Sequence, residues 1–157
     1  MDSIILLLME MTTEFNTNLS YKTYLLKNVQ HFSKLMRTKT LNGMLLSTLA
    51  NLYKERFWKG LKAAVDGLVK KYIFKPSNNV LWLVVGRESE YFIIDNIYCS
   101  CYDFYLNTVI RKETPFCYHI IARIIAEALD LYETYILSDN KYKSLIEEWR
   151  SFSYLEE

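Results

Sequence analysis

The chain has 157 residues, 51% of them hydrophobic, and its 19 basic and 18 acidic side chains leave a net charge of +1. This composition excludes a disordered chain and is sufficient for one domain with a helical extension. It also excludes a general electrostatic attraction to nucleic acid, so any such binding requires a local basic patch. The 13 tyrosines favour a surface for a protein partner, because tyrosine is enriched at interfaces.

The N-terminal part of the chain carries the first helical pattern. The apolar run at residues 4–9 has no basic leader and is too short to cross a bilayer, so we predict neither a signal peptide nor a membrane segment. Ser20 is a candidate cap for a helix that extends to about Lys39. Its apolar stripe has the spacing of one buried helix face and consists of Tyr21, Leu25, Val29, Phe32 and Met36.

A longer helical pattern begins at Thr40 and continues to residue 73. Gly60 and Gly67 are its weak points, so we expect two helices or one bent helix. The pattern should end before Lys75, because the residue preceding a proline disfavours the helical conformation. Its second half is defined by apolar residues at helical spacing, namely Phe57, Leu61, Val65, Leu68, Tyr72 and Ile73.

The centre of the chain predicts a β-hairpin. The segments VLWLVV, residues 80–85, and EYFIID, residues 90–95, are rich in strand-forming residues and are separated by a turn. Further on, Thr114 followed by a proline predicts the start of a helix that reaches about Leu131. A last helix is predicted from near Ser138 or Asp139 to about Phe152.

All three cysteines and one of the two histidines occur as Cys-x-Cys, a spacer, and Cys-x-His. Cys99, Cys101, Cys117 and His119 are the ligand set of a tetrahedral zinc site. Four protein ligands leave no position for water, so we predict one structural Zn²⁺ per chain rather than a hydrolytic centre. Packing cysteines or a disulfide would not account for the histidine, and the odd cysteine count favours a reducing compartment.

The Cys-x-Cys pair and the Cys-x-His pair require different backbone conformations. On an extended strand, residues i and i+2 point to the same face, so Cys99 and Cys101 can reach one ion. Two residues apart on a regular helix do not share a face. We therefore expect Cys117 in an irregular first turn of the helix that carries His119.

Residues 98–129, YCSCYDFYLNTVIRKETPFCYHIIARIIAEAL, resemble the SWIM zinc finger, and more specifically the Shu-complex SWIM subunit family. The hairpin NVLWLVVGRESEYFIID is similar to the family's strand, turn and strand. The resemblance covers roughly residues 60–130, and the first 55 and last 25 residues match only as helical context. We expect an α+β fold with an N-terminal helical region at residues 1–75. Residues 76–157 would form a zinc-bound SWIM finger, made of the hairpin, the two ligand pairs and a helix, with a C-terminal helical extension. The matching motifs are Cys99-Ser100-Cys101, Phe104, Val109-Ile110-Arg111-Lys112 and the aliphatic helix at residues 120–129.

The same resemblance implies a non-enzymatic adaptor in homologous recombination and DNA repair. Its partner would be a RecA-fold recombinase paralogue in a hetero-oligomer, and the complex would assist recombinase filament assembly on single-stranded DNA. The residues agree, since no glycine-rich phosphate loop is present and His31 is the only histidine outside the zinc set. We expect a protein that is not secreted, nucleoid-associated in the cytoplasm of an archaeon or nuclear in a eukaryote, with the archaeal source favoured.

The alternative is a SWIM module that binds nucleic acid directly in transcription or transposition. Many SWIM fingers carry a proline after the second cysteine and a basic residue between cysteine and histidine, where Tyr102 and Tyr118 stand here. This departure weakens the case for phosphate contact by the finger itself. Arg111 and Lys112 remain as basic neighbours, although they would also balance the negative charge of three zinc-bound thiolates.

A second basic stripe precedes the hairpin and is interleaved with the aromatic residues Phe57, Trp58 and Tyr72. It could bind a single strand through phosphate contacts and stacking. The opposing interpretation is that the aromatics belong to the core and the lysines to a solvated face. A zinc hydrolase would require one of the four ligands to stay unbound. The basic stripe consists of Lys54, Arg56, Lys59, Lys62, Lys70 and Lys71.

Overall fold

The computed structural model describes residues 43–86 and 89–153, with Gln30 and Lys34, and gives only the backbone of residue 44 and of residues 149–153. The predicted first helix lies outside the described residues except for Gln30 and Lys34, which are helical. The predicted cap at Thr40 also lies outside them. No helix in the described ranges is long and apolar enough to cross a membrane. The elements, in chain order, are α1 (Gly43–Tyr53), α2 (Glu55–Val65), β1 (Val69–Lys75), β2 (Val80–Val85), β3 (Glu90–Ile94), β4 (Tyr98–Cys99), a π-helix (Phe104–Ile110), α3 (Tyr118–Leu129), β5 (Glu133–Ser138) and α4 (Asn140–Ser153).

The strands form one five-stranded sheet in the order β4-β3-β2-β1-β5. Neighbours are antiparallel except β1 and β5, which are parallel. The predicted hairpin is confirmed as β2 and β3, with Trp82 opposite Ile93. Helices together with this mixed sheet confirm the α+β fold class.

Both faces of the sheet are covered, which explains the uninterrupted apolar run of β2. Leu81 and Leu83 point into a small core beneath α4, where they meet Phe74 and Phe92. The intervening side chains of β2 point into the main core formed with α1, α2 and α3. That main core also contains all three cysteines, so three of the four predicted metal ligands are part of the principal packing unit.

The helix predicted through residue 73 ends at Val65, so the prediction is wrong for residues 66–73. Gly67 adopts a φ of 70°, and its N–H donates to the carbonyl of Ala64 while that of Leu68 donates to Ala63. These two bonds form a Schellman motif, which ends a helix with a glycine in the left-handed conformation. The following segment VKKYIFK then pairs with β2 as strand β1, because its apolar residues can be buried on alternate faces.

The expectation of two helices is confirmed, but the break falls at Lys54, with a φ of 51°, and not at Gly60. Gly60 is buried in the middle of α2 where it packs against α3. A Cβ at this position would lie 2.7 Å from Cγ2 of Ile121 and 3.0 Å from the carbonyl oxygen of Tyr118. The glycine therefore permits close approach of α2 to the first turn of α3.

Gly60→Ala is expected to destabilise the fold by about 1 to 3 kcal/mol, because the added methyl group overpacks the contact between α2 and α3. At an unconstrained helix position, the same replacement of glycine by alanine would instead increase the folding stability by about 1 kcal/mol. Chemical denaturation of the two proteins measures the difference. Gly43→Ala is the matched control, since nothing lies within 4 Å of a Cβ at that glycine; equal stabilisation by both substitutions would contradict the close contact.

The C-terminal part contains a strand that the sequence patterns did not identify. Helix α3 ends at Leu129, two residues before the predicted Leu131, and Asp130 follows in the left-handed conformation with a φ of 58°. Strand β5 comes next and pairs with β1 from Lys70 opposite Glu133 onward. The final helix α4 begins at Asn140 and ends at Ser153, which confirms the last predicted helix.

Candidate metal centre

The structure brings the four predicted ligands together in a single buried cluster. The sulfur atoms of Cys99, Cys101 and Cys117 and a ring nitrogen of His119 all lie within 4.8 Å of one another. A tetrahedral zinc ion with Zn–S bonds of about 2.3 Å holds its ligand atoms roughly 3.8 Å apart. The cluster therefore needs only a slight contraction to match this geometry.

The first ligand pair is positioned by the end of the sheet. Cys99 closes β4 opposite Ile93 of β3, and the N–H of Ser100 donates to the carbonyl of Phe92 over 3.1 Å. The hydroxyl oxygen of Ser100 accepts a second bond, from the N–H of Phe92 over 3.2 Å. The chain thus stays extended as far as residue 100, and the alternation of a strand directs both cysteines to the same side, as the Cys-x-Cys spacing predicted.

The second pair is positioned by the start of α3, which begins at Tyr118 and not at the predicted Thr114. Cys117 is the N-cap, extended with a φ of −79° and a ψ of 166°. Because Cys117 lies outside the helix and His119 inside its first turn, side chains two residues apart can converge, which a regular helix forbids. The Thr114 hydroxyl donates to the carbonyl of Phe116 over 3.1 Å, so it supports the approach to the helix instead of capping it.

The element that follows Cys101 in the chain contacts one of the candidate ligand sulfurs directly. The backbone N–H of Phe104, at the start of the π-helix, donates to Sγ of Cys101 over 3.3 Å. Such bonds orient a ligand and stabilise its thiolate form. Hydrogen bonds from Cys117 and Cys99 lower the pKa of Cys101 strongly, whereas burial raises the pKa of Cys99 and of Cys117 well above the usual thiol value.

Burial disfavours the thiolate forms of cysteines that lie so close together. A divalent cation fits such a set, because it replaces the thiol protons and neutralises the thiolates that burial otherwise disfavours. His119 gives an independent indication. Both of its ring nitrogens are buried, and neither has a hydrogen-bond partner among the described protein atoms, so a bound metal would satisfy one of them.

Two tyrosines lie against the imidazole of His119. The ring centroid of Tyr118 is 3.8 Å away and that of Tyr91, from β3, is 4.3 Å away. Burial raises the pKa of Tyr118 to about 12, so its hydroxyl stays neutral beside the thiolates. Tyr118 occupies the position where many SWIM fingers carry a basic residue, and here the residue packs on the ligand instead of offering a positive charge.

An ion pair that the sequence analysis did not identify connects the site to α2. Nε and Nη2 of Arg56 donate to the carboxylate of Asp103 over 3.2 and 2.8 Å, and this contact raises the pKa of Arg56. Asp103 directly precedes the π-helix and also accepts a bond from the side chain of Asn107. Arg56 was a candidate for phosphate contact. Its two parallel hydrogen bonds to one carboxylate indicate instead that Arg56 attaches the start of the π-helix to α2. No sequence signal pairs residues so far apart.

Three of the predicted nucleic-acid contacts are engaged by acidic residues. The nitrogen–oxygen distances of these surface ion pairs lie between 2.7 and 3.2 Å, for Lys59 with Glu55, Lys62 with Asp66 and Lys70 with Glu90. Each acid offsets the charge of its lysine, which reduces the attraction for a phosphate backbone. Lys59 and Lys62 also line an open pocket of about 500 Å³ beside the cluster.

The other basic candidates lie elsewhere. Nζ of Lys71 is 5.1 Å from the ring centroid of Trp82, and its side chain points to the opposite sheet face from that of Lys70, its neighbour on the strand. Arg111 and Lys112 are exposed after the π-helix, where Arg111 donates to Asn107 over 3.1 Å. The candidates are therefore spread over α2, both faces of β1 and the end of the π-helix, and they do not form one stripe.

Comparison with known proteins supports the SWIM interpretation. No family model matches the chain, and no solved structure matches it. A curated relative, the zinc finger SWIM domain-containing protein 7 homolog of Dictyostelium discoideum, is 27% identical over 146 residues, which cover 92% of this chain and 94% of that protein. With the Cys-x-Cys and Cys-x-His pairs gathered in one cluster, this similarity along almost the whole length confirms that the chain resembles the SWIM zinc-finger proteins of the Shu-complex SWIM subunit family.

Proposed function

We propose that the chain is a non-enzymatic adaptor whose shape depends on one structural Zn²⁺, held by Cys99, Cys101, Cys117 and His119. The observation that supports this most directly is the closed ligand set: three sulfurs and one nitrogen gather within 4.8 Å in a buried cluster. Four protein ligands saturate a tetrahedral zinc ion and leave no position for a catalytic water. The ion would contribute folding free energy and no chemistry of its own.

The protein's own residues define what such an ion would hold in place. Cys101 precedes the π-helix and Cys117 follows it, so a shared ion would close the segment that contains this helix. The N–H of Phe104 on Cys101 and the ion pair between Arg56 and Asp103 fasten the start of the same segment. Removing the ion would therefore release the π-helix as well as the first turn of α3.

The π-helix segment presents the side chains that we assign to partner binding. Tyr102 is 72% exposed, and large apolar side chains follow it along the same segment. Exposed aromatic residues at the surface of a small domain are characteristic of protein interfaces. The exposed set consists of Tyr102, Tyr105, Val109 and Ile110.

We propose a RecA-fold recombinase paralogue as the partner, in a hetero-oligomer that assists recombinase filament assembly on single-stranded DNA in homologous recombination and DNA repair. This proposal rests on the similarity to a SWIM domain-containing protein 7 homolog and on what that family resemblance implies. The nearly balanced charge of the chain supports it, because an adaptor needs no strong attraction to DNA of its own.

The test is co-expression with the RecA-fold paralogues of the source genome, followed by copurification. We expect a complex of defined stoichiometry with the native chain and a loss of at least about tenfold in affinity with Tyr102→Ser combined with Tyr105→Ser. Trp58→Ser is the matched control, because Trp58 is also an exposed aromatic residue but lies on α2. A complex that forms equally well with the double variant would contradict the assignment of the surface.

The same preparation distinguishes the alternative of direct nucleic-acid binding. Because Lys59, Lys62 and Lys70 are paired with acids, we expect the isolated chain to bind single strands no more tightly than roughly 10⁻⁴ to 10⁻⁶ M at physiological salt, the range of non-specific binding. Submicromolar binding without a partner, with a steep salt dependence, would favour the nucleic-acid-binding module over the adaptor.

A further inference from the structure

Strand β5 has an open outer edge. It is the last strand in the sheet order and pairs with β1 on one side, and no other described strand lies on its far side. Helix α4 starts directly after β5 and packs over one face of the sheet, with Tyr142 and Leu145 on the core around Phe74. It therefore covers a face and leaves the edge accessible. An open edge presents unpaired N–H and C=O groups that favour pairing with another strand.

The direction of these groups follows from the pairing with β1. Ser138 is opposite Lys75, and the N–H of Asp139 donates to the carbonyl of Lys75 over 2.9 Å. In a parallel ladder, the residue on one strand bonds to the two neighbours of its partner, so odd-numbered residues of β5 face β1. The backbone groups of Thr134, Ile136 and Ser138 consequently point outward, away from the sheet.

An exposed apolar row reaches this edge. Val80 is opposite Ile73, and Ile73 is opposite Ile136, so the three side chains lie side by side on one face across β2, β1 and β5. Val80 is 39% exposed and Ile136 is 66% exposed. The row ends abruptly at the open edge with its most exposed member.

The edge also lacks the features that normally protect such strands. Soluble proteins place lysine, proline or an inward-pointing charge on an open edge strand. The outward residues Thr134, Ile136 and Ser138 carry no charge, and β5 contains no proline. Glu133, at the start of β5, is the one charged residue of the strand. An edge without charge from Thr134 to Ser138 and with an apolar row beside it favours pairing with another strand.

We propose that a second copy of this chain pairs with β5 antiparallel and in register about Ile136, which joins two sheets into one. In this register, Ile136 lies opposite Ile136 of the second copy, and Thr134 lies opposite Ser138. Every outward N–H and C=O of the strand then finds a partner. The apolar rows of the two copies then meet at the paired isoleucines and form one continuous row. This arrangement is isologous, because a twofold axis brings the same surface of each copy into contact.

Self-complementarity is the reason for choosing a second copy as the occupant. Among symmetric registers, pairing about Ile136 uses all outward groups of β5 and also aligns the exposed rows of both copies. A strand from an unrelated partner would also satisfy the backbone groups. It would not bring a second, matching apolar row against the row of this chain. The register has one cost, because it places Glu133 opposite Asp139 of the second copy at each end. The inference goes beyond the proposed function and does not depend on it.

Sedimentation velocity of the full zinc-loaded chain over a range of concentrations tests this pairing. We expect a reversible dimer whose dissociation constant rises at least about tenfold in Thr134→Pro. The N–H that proline removes at this position points outward, so the ladder with β1 stays intact and the melting temperature of the monomer should change little. A dimer that Thr134→Pro leaves unaltered would overturn the proposal.

A charge substitution with a matched control gives a second measurement. Ile136→Lys is expected to produce a monomer, because two lysines would face each other at the axis. Val65→Lys is the control, since Val65 on α2 is 63% exposed, close to the value for Ile136, and lies away from the edge. Glu133→Lys is expected to strengthen the dimer, because a cation would then oppose Asp139 of the second copy.

The remaining outcomes decide against self-pairing. A chain that stays monomeric at every concentration overturns the proposal. If this monomer binds a RecA-fold paralogue and both edge variants abolish that complex, the edge serves a heterologous strand instead.

Zinc content is measured on the same variants. An unchanged metal content with an altered oligomeric state separates this inference from the proposed role of the metal centre.

Discussion

Replacing Cys101 with serine is expected to abolish stoichiometric zinc binding and to destabilise the fold by more than about 4 kcal/mol, since structural zinc contributes its binding free energy to folding. The effect should be large because Cys101 lies in the main core together with Cys99 and Cys117. Losing one ligand would leave a buried, incompletely coordinated site. His119→Ala should have a similar effect for the same reason.

Metal content per chain and thermal unfolding, measured on protein purified without a metal-affinity tag, check this result. Tyr102→Ser is the matched control, because Tyr102 is adjacent in the chain but exposed, so it should retain one zinc and a native melting temperature. A Cys101→Ser protein with unchanged metal content and melting temperature would show that the ligand assignment is wrong. A native chain that folds without metal would reduce the cysteines to packing residues.

Phe116→Ala is expected to cost about 3 to 5 kcal/mol of stability and to accelerate zinc loss to a chelator. Phe116 is fully buried, its ring centroid lies 5.7 Å from that of Tyr53 on α1, and it directly precedes Cys117. The cavity left by the deleted ring would loosen the packing of α1. It would also loosen the extended backbone at Cys117. Denaturation and the rate of zinc transfer to a chelator measure the two effects.

Phe116→Leu separates packing from metal retention. Leucine fills most of the space, so a loss of about 1 to 2 kcal/mol with nearly native zinc transfer is expected. The interpretation would be contradicted if the alanine variant lost stability while zinc transfer stayed native. Phe116 would then support α1 without positioning Cys117.

The candidate metal ligands could be predicted from the sequence because their signal is local and chemical. Three soft ligands and an imidazole in two closely spaced pairs suit zinc whatever the surrounding fold. The hairpin was predictable for a similar reason, since both strands are short runs of β-branched and aromatic residues on either side of a turn. Both features depend on residues close together in the chain.

The errors have a common cause in long-range packing. The segment VKKYIFK has apolar residues that also fit a helical stripe, and only its ladder with β2 and β5 makes it a strand. Strand β5 was missed although Thr134, Tyr135 and Ile136 favour extended structure, because a single edge strand gains its stability from the neighbour it joins. The pairing of Arg56 with Asp103 likewise appears only when α2 and the π-helix are folded together.

The sequence by itself determined the candidate ligand set and the resemblance to SWIM zinc fingers, because coordination chemistry depends on residue type and spacing. Only the tertiary structure decided which lysines are neutralised by acids, how Cys117 and His119 converge from either side of a helix start, and where the sheet is left open. These properties are set by distances between residues remote in the chain. Such distances depend on the packing of the whole core and not on any local pattern.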